Sequence, residues 1–102
     1  MKYRSRIDIV SQILEAANGV NARRSRITYK AFLNYDQLKE YLTALIQNDL
    51  LRYNEDTQTF KTTERGLRFL DTYGRIEDMI KEEEKEEEQW IQRKQAYREK
   101  TQ

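Results

Sequence analysis

The pattern of apolar and polar positions is most regular between residues 34 and 51. Apolar residues recur there at spacings of three and four, at Leu38, Tyr41, Leu42, Leu45 and Ile46. This spacing predicts the buried stripe of an amphipathic helix. Before the stripe, Asn34 and Gln37 have the spacing of a capping box, which satisfies free amides at a helix N-terminus. We therefore expect a helix from Tyr35 to about Asn48.

Two shorter helical patterns precede this helix. An apolar stripe follows a Ser-x-x-Asp capping pattern and ends at an Asn-Gly pair, which predicts a first helix over Ser5–Asn18. Its inward positions are Ile7, Val10, Ile13, Leu14 and Ala17. Ser25 is expected to cap a second, short helix over Arg26–Phe32, followed by a tight turn. A short helix, a tight turn and a longer amphipathic helix are typical of a helix-turn-helix.

A small hairpin is predicted after the third helix. Leu51–Tyr53 and Thr59–Lys61 alternate apolar and polar residues, as half-buried strands do, and the residues between them favour a turn. A two-stranded hairpin is only marginally stable alone. We therefore expect it to pack on the helices through Leu51, Tyr53 and Phe60, which makes the predicted fold a winged helix.

A last helix is predicted to begin at Glu64, capped by Thr63, and no proline interrupts it before the C-terminus. Its heptad-like seam consists of Phe69, Tyr73, Ile76, Ile80, Glu83, Glu87, Trp90, Lys94 and Tyr97. The predicted fold is mainly α with a small β-hairpin. It comprises a winged helix-turn-helix domain over residues 1–72 and, over residues 73–102, the continuation of the long C-terminal helix.

Composition limits the core, and the charge is unevenly placed. Hydrophobic residues make up 37% of the chain and charged residues 36%, while the net charge is only +1. Residues 1–30 contain seven basic and two acidic residues, whereas residues 63–102 contain nine basic and eleven acidic ones. This separation predicts a local anion-binding surface on a chain with little overall charge.

The sequence contains neither cysteine nor histidine. Disulfides and thiolate metal sites are therefore excluded, and the commonest general base and zinc ligand are absent. Because no glycine-rich phosphate loop or paired nucleophile is present either, we expect a protein that is not an enzyme and has no cofactor or metal site. No apolar run approaches membrane-spanning length and no signal-peptide core follows Met1, so we expect a soluble, cytoplasmic protein with no membrane partner.

Four segments of the chain are distinctive: RSRIDIVSQILEAA, RITYKAFLNYDQLKEYL, LLRYN and TTERGLRFLD. They resemble a family of small archaeal winged-helix DNA-binding proteins, which includes abundant crenarchaeal chromatin-associated proteins of about this size. The resemblance extends over about Arg4–Tyr73, and its most specific part is Arg26–Leu42. The resemblance implies a winged helix that binds duplex DNA. It also implies a C-terminal helix that pairs antiparallel with a second copy.

Binding of duplex DNA requires cations along a phosphate track and polar side chains that reach base edges. Candidates for the phosphate track are Arg4, Arg6, Arg23, Arg24, Arg26, Lys30, Arg52 and Lys61. Candidates on the third helix are Tyr35, Gln37, Lys39, Thr43 and Gln47. The sharpest cluster is Arg23, Arg24 and Arg26, because helix 2 of the chain would be the first helix of the helix-turn-helix, which crosses the DNA backbone. The alternative is that these arginines are ordinary surface charges.

Two acidic residues, Asp36 and Glu40, share the outward face of the third helix with these candidates. Either they accept hydrogen bonds from cytosine amino groups and confer selectivity, or they pair with Lys39 and nearby arginines and weaken DNA binding. Both interpretations stay open from the sequence.

The C-terminal segment contains few apolar residues, and a lone helix would expose them. Burial against a second chain explains them best, so the expected dimerisation residues are Tyr73, Ile76, Ile80, Trp90, Ile91 and Tyr97. An antiparallel pairing centred near Glu88 matches charges, whereas one centred near Lys85 matches aromatic and apolar residues. A disordered tail is the remaining alternative.

The acidic block at residues 82–88, EEEKEEE, is interpreted as a solvated helix surface. Only pairs such as Glu83 and Glu87 share a face, so a divalent metal would bind weakly at best. A mimic of DNA charge that masks the basic surface is a testable alternative.

The sequence therefore predicts a homodimeric, nucleoid-associated winged-helix protein that binds double-stranded DNA as a transcriptional regulator or chromatin organiser. The alternative is a winged-helix module for protein–protein interaction and assembly that does not bind DNA. Asp36, Glu40 and the near-zero net charge favour that alternative.

Overall fold

The computed structural model describes residues 4–81. The helices are α1 at Arg6–Ala16, α2 at Arg24–Ala31, α3 at Tyr35–Gln47 and α4 at residues 64–81, and the strands are β1 at Leu51–Asn54 and β2 at Thr59–Thr62. The chain divides into two units, Met1–Asp71 and Thr72–Gln102. The predicted winged helix-turn-helix with a small hairpin and a C-terminal helix is confirmed. The predicted course of that helix beyond residue 81 lies outside the described residues.

Two capping boxes fix the starts of α1 and α3, as the sequence predicts. The Ser5 hydroxyl accepts from the Asp8 amide at 3.2 Å, and the Asp8 carboxylate accepts from the Ser5 amide at 3.0 Å. The Asn34 side chain accepts from the Gln37 amide at 2.8 Å, and the Gln37 side chain accepts from the Asn34 amide at 3.2 Å. Each such cap stabilises its helix by about 1 kcal/mol.

The start of α2 differs from the prediction. Arg23 is the N-cap, no side chain caps the helix, and Ser25 lies inside the first turn, so the prediction of a Ser25 cap is wrong. The cause is a long-range pairing that the local pattern does not contain. Ala22 forms an antiparallel bridge with Phe60, with its amide 2.9 Å from the Phe60 oxygen and its oxygen 2.7 Å from the Phe60 amide. This bridge holds the chain extended up to Ala22, and the helix begins directly afterwards.

The hairpin at residues 51–62, called the wing from here on, pairs β1 antiparallel to β2, with Arg52 opposite Lys61 and Tyr53 opposite Phe60. Its turn has no glycine. The Asn54 side chain closes it by accepting from the Asp56 amide at 2.9 Å, and Gln58 adopts a left-handed conformation with φ of 54°.

The core lies between the helices and one face of the wing. Leu51 and Phe60 are buried, as predicted, and the Thr62 hydroxyl donates to the Leu14 carbonyl at 2.7 Å, which ties the wing to α1. Tyr53 is 38% exposed and does not join the core. Its ring packs on Phe60, at 4.8 Å between ring centres, at the edge of the core beside the start of α2.

The predicted stripes of α1 and α3 are correct except at their edges. Ile13, Leu14, Leu38, Leu42 and Leu45 are buried. Tyr41 is half-buried and packs against the core, as expected. Ile7 and Ile46 are 57% and 41% exposed, so their assignment to buried stripes is wrong. Ile7 occupies the first turn of α1. Ile46 directly follows Leu45, and one residue turns an α-helix by about 100°, so its side chain lies beside the buried row formed by Leu42 and Leu45 and not within it.

The start of α4 packs closely on the preceding turn, and this contact requires Gly66. A Cβ atom at position 66 would clash with the Leu50 carbonyl oxygen and would lie 2.5 Å from Cγ2 of Thr62. Thr63 caps the helix, as predicted, because its hydroxyl accepts from the Gly66 amide at 3.0 Å. The same hydroxyl donates to the Asp49 carbonyl at 2.7 Å, so α4 begins at a fixed place beside the wing.

Candidate nucleic-acid interface

The outward face of α3 is exposed and mixed in charge. Asp36, Lys39, Glu40, Thr43, Ala44 and Gln47 line one shallow surface there. The structure thus brings together three of the predicted contact residues, Lys39, Thr43 and Gln47, and places both acids among them. Within residues 4–81, no ion pair joins Lys39 or an arginine to either acid. The interpretation that Asp36 and Glu40 are neutralised by neighbouring cations therefore has no contact to support it.

Tyr35 and Gln37, the other two predicted residues of α3, occupy its first turn. The Gln37 carbonyl oxygen takes part in the capping box, which leaves its amide NH2 group as a donor. The Tyr35 hydroxyl accepts from Nη1 of Arg24 at 2.9 Å, and the guanidinium carbon lies 5.1 Å from the centre of the tyrosine ring. This hydrogen bond and cation–π contact join the start of α2 to the start of α3.

Arg23 and Arg24, called the α2 cluster from here on, lie beside the wing. They line a cleft together with Ser25, Tyr53, Thr57, Gln58 and Phe60. Both arginines are exposed, and Arg23 makes no contact with an acidic group within the part of the chain that the structure describes. The α2 cluster therefore presents two cations that no carboxylate of residues 4–81 neutralises.

The guanidinium groups of Arg26 and Arg4 donate hydrogen bonds to other parts of the folded chain. Nε of Arg26 donates to the Ala16 carbonyl at the end of α1, at 3.2 Å. Nη1 of Arg4 donates to Oε1 of Gln12 and to the Ala31 carbonyl, both at 2.5 Å, and Nη2 donates to the Phe32 carbonyl at 3.1 Å. These guanidinium groups satisfy carbonyls that helix ends leave free. The predicted triple cluster is thus divided, because Arg26 does not line the cleft of Arg23 and Arg24.

The remaining predicted cations are spread over the surface. Lys30 is exposed in the last turn of α2. Arg6 is exposed at the start of α1, where it borders a groove formed mainly by apolar residues of α1, α3 and α4. Arg52 and Lys61 are exposed cross-strand neighbours, so their side chains share one face of the wing, whereas Tyr53 and Phe60 share the other.

Two arginines that the sequence reasoning did not select lie next to Arg52 and Lys61. Arg65 and Arg68 of α4 line one cleft with that pair. Their spacing of three on a helix that directly follows the second strand was the available signal. The sequence pattern assigns α4 to dimerisation, and only its packing beside the wing places these two arginines next to Arg52 and Lys61.

The expected dimerisation residues fall partly outside the described chain. Ile76 and Ile80 are 52% and 51% exposed on α4, and Tyr73 is half-buried. Trp90, Ile91 and Tyr97 lie outside the described residues. The dimer stays a prediction.

In the described part of the chain, no helix is both long enough and apolar enough to cross a membrane.

A family model described as winged helix-turn-helix matches residues 3–81. Comparison with curated protein sequences finds no match. Among solved structures, the chain is similar to the crystal structure of Sso10a-2, a DNA-binding protein from Sulfolobus solfataricus, with a TM-score of 0.65 and 25% sequence identity. That similarity covers 79% of this chain and 83% of the other. The resemblance to small archaeal winged-helix DNA-binding proteins is thus confirmed, and the chain belongs to the winged helix-turn-helix family.

Proposed function

We propose that this protein binds duplex DNA through its winged helix. The observation that carries the proposal is the pair of exposed arginines in the α2 cluster, which lack an acidic partner in residues 4–81 and are tied to the start of α3 by the Arg24–Tyr35 contact. In a helix-turn-helix, this is where the protein meets the phosphate backbone. The similarity to a protein described as DNA-binding supports the same assignment.

The proposed mechanism separates anchoring from base contact. The α2 cluster, Lys30, Arg52 and Lys61 hold phosphates by charge-assisted hydrogen bonds. The outward face of α3 enters the major groove, where the Gln47 amide can pair with adenine and the Thr43 methyl can contact thymine. The Thr43 hydroxyl already donates to the Lys39 carbonyl at 3.0 Å, so it meets the base only as an acceptor or through its methyl group.

Asp36 and Glu40 oppose this binding because they bring negative charge towards phosphates. Glu55 and Asp56 add two more carboxylates at the tip of the wing, which makes deep insertion of the tip into a groove unfavourable. The affinity therefore depends on cations at the start of α2 and along the strands of the wing. Such binding depends strongly on salt, because each neutralised phosphate releases a counterion.

We further propose that the protein is a homodimer through its C-terminal segment, which includes α4, and that it serves as a transcriptional regulator or chromatin organiser in the nucleoid, without catalytic activity. Ile76 and Ile80 support the dimer, since a solvated helix gains nothing from two half-exposed isoleucines one turn apart. Light scattering of the full-length chain tests it: the expected mass is twice that of one chain, and a monomer at micromolar concentration refutes the dimer.

A second candidate function is a protein-interaction module that uses the same fold without DNA. The four carboxylates at Asp36, Glu40, Glu55 and Asp56 favour it, because they occupy the two elements that a winged helix usually brings nearest to DNA.

Fluorescence-polarisation titration of a labelled random duplex at two salt concentrations separates the two functions. The DNA-binding proposal predicts saturable binding at low salt that weakens steeply at the higher concentration. The interaction-module proposal predicts no binding at either concentration, and that result would remove DNA binding from the account.

A further inference from the structure

A group of four cations lies on the α4 side of the wing. It consists of Arg52 and Lys61 from the two strands and Arg65 and Arg68 from the first turns of α4, and it is called the wing cluster from here on. All four side chains are exposed. Within residues 4–81, none of them makes a hydrogen bond or an ion pair with protein.

The arrangement of the wing cluster does not serve stability. Arg52 lies directly opposite Lys61 in the antiparallel pair, and like charges in that position destabilise a hairpin. Arg65 and Arg68 are spaced by three on a helix, which again places like charges side by side. Asp49 and Glu64 border the same cleft but form no ion pair with the four cations among the described residues, and they leave a local excess of two positive charges.

The backbone beneath the wing cluster is well fixed. Thr63 bonds to the Asp49 carbonyl through its hydroxyl at 2.7 Å and to the Leu50 carbonyl through its amide at 3.2 Å. The absence of a side chain at Gly66 lets α4 approach Leu50 and Thr62 closely. The strand pairing and this helix start therefore place the four cations along one cleft before any ligand arrives. A ligand has to order only the exposed side chains, because the backbone that carries them is already in position.

We propose that the wing cluster is a phosphate-binding surface that extends the contact with duplex DNA beyond the helix-turn-helix, with Arg65 and Arg68 as new contact residues. This inference rests on the proposed DNA-binding function. The polyanionic backbone of DNA fits a group of cations that form no ion pair within residues 4–81, and arginine forks suit phosphate oxygens in particular. The α2 cluster adjoins the opposite face of the wing, beside Tyr53 and Phe60, so the proposed phosphate contacts come from both faces of the hairpin.

The test compares double variants of the full-length chain in titrations of a random duplex over a series of salt concentrations. Arg65→Gln/Arg68→Gln removes the two new contacts. Arg75→Gln/Lys81→Gln removes the same charge from exposed positions of α4 outside the cluster and serves as the matched control. Arg65→Lys/Arg68→Lys keeps the charge. Thermal unfolding of each variant establishes that it is folded.

The R65Q/R68Q variant is expected to bind several-fold more weakly at low salt, and its slope of log K against log salt is expected to be shallower by about one to two units. The lysine variant keeps most of the wild-type slope, and the control keeps both slope and affinity. If R65Q/R68Q matches the control while the wild-type chain binds, the wing cluster proposal is overturned and DNA binding stands. If the wild-type chain does not bind at all, the proposed function itself falls, and this proposal with it.

Discussion

Arginines in two neighbouring regions of this molecule have different roles. At the ends of α1 and α2, Arg26 and Arg4 donate to backbone carbonyls and complete the fold. At the start of α2, Arg23 and Arg24 are exposed and line a cleft beside the wing. Only one residue separates Arg24 from Arg26, yet their guanidinium groups meet different partners. Position along the chain therefore does not determine whether an arginine supports folding or is available to an anionic ligand.

The largest effect on folding is expected from Arg4→Ala. Its guanidinium satisfies two carbonyls at the end of α2, where the Phe32 backbone is left-handed with φ of 52°, and it also bonds to Gln12. Losing these charge-assisted bonds should lower the free energy of unfolding by about 2 kcal/mol. Urea denaturation measures this. An unchanged denaturation midpoint would show that Arg4 does not belong with the structural arginines.

Arg26→Ala should have a smaller effect, because it removes one bond to the Ala16 carbonyl. The expected loss of unfolding free energy is about 1 kcal/mol. Duplex affinity, measured well below the unfolding transition, should stay close to that of the wild type. A strong loss of affinity with unchanged stability would instead place Arg26 on the phosphate track with Arg23 and Arg24.

Removal of the acidic residues on α3 is expected to strengthen DNA binding. Asp36→Asn/Glu40→Gln removes two carboxylates from the outward face without changing side-chain size, and it should raise affinity for random duplex about threefold at low salt. Fluorescence polarisation against the wild type measures the gain. Weaker binding, confined to duplexes of one sequence, would show that the acids accept hydrogen bonds from cytosine.

The smallest effect is expected from Tyr35→Phe. This change removes the hydroxyl that accepts from Arg24 but keeps the ring beneath the guanidinium. The hydrogen bond is exposed and is therefore expected at the low end of the usual range, about 0.5 kcal/mol, so affinity should change by about twofold at most. Tyr35→Ala, which removes the ring as well, should weaken binding more. Equal losses in the two variants would mean that the hydroxyl, not the ring, positions Arg24.

The fold could be predicted because helix caps and buried stripes are visible in short segments of the sequence. The capping boxes at Ser5 and Asn34 and the stripe through Leu38, Leu42 and Leu45 are properties of short segments. The start of α2 was not predictable in this way. It is determined by the bridge between Ala22 and Phe60, which lie far apart in the sequence.

The candidate site was less predictable than the fold. A list of cations can be read from the sequence, but their division into structural and exposed groups depends on which carbonyls lie within reach. Arg26 meets the Ala16 carbonyl only because α1 ends beside α2. Arg65 and Arg68 line the same cleft as Arg52 and Lys61 only because Gly66 allows α4 to pack closely on the preceding turn. Such neighbours are determined by tertiary packing, which spacing along one helix does not show.

The central claim is that Arg23 and Arg24 are available to DNA while Arg4 and Arg26 are used by the fold. The most direct test compares R23Q/R24Q with R4Q/R26Q, since each double variant removes two arginine charges. We predict that R23Q/R24Q loses less unfolding free energy than R4Q/R26Q, since only the exposed Arg24–Tyr35 contact is removed. Its duplex affinity at low salt should fall about tenfold or more, with a slope against log salt shallower by about two units. R4Q/R26Q should lose stability and, while folded, retain most of its affinity. Equal losses of affinity in the two variants, in proportion to charge alone, would contradict the account.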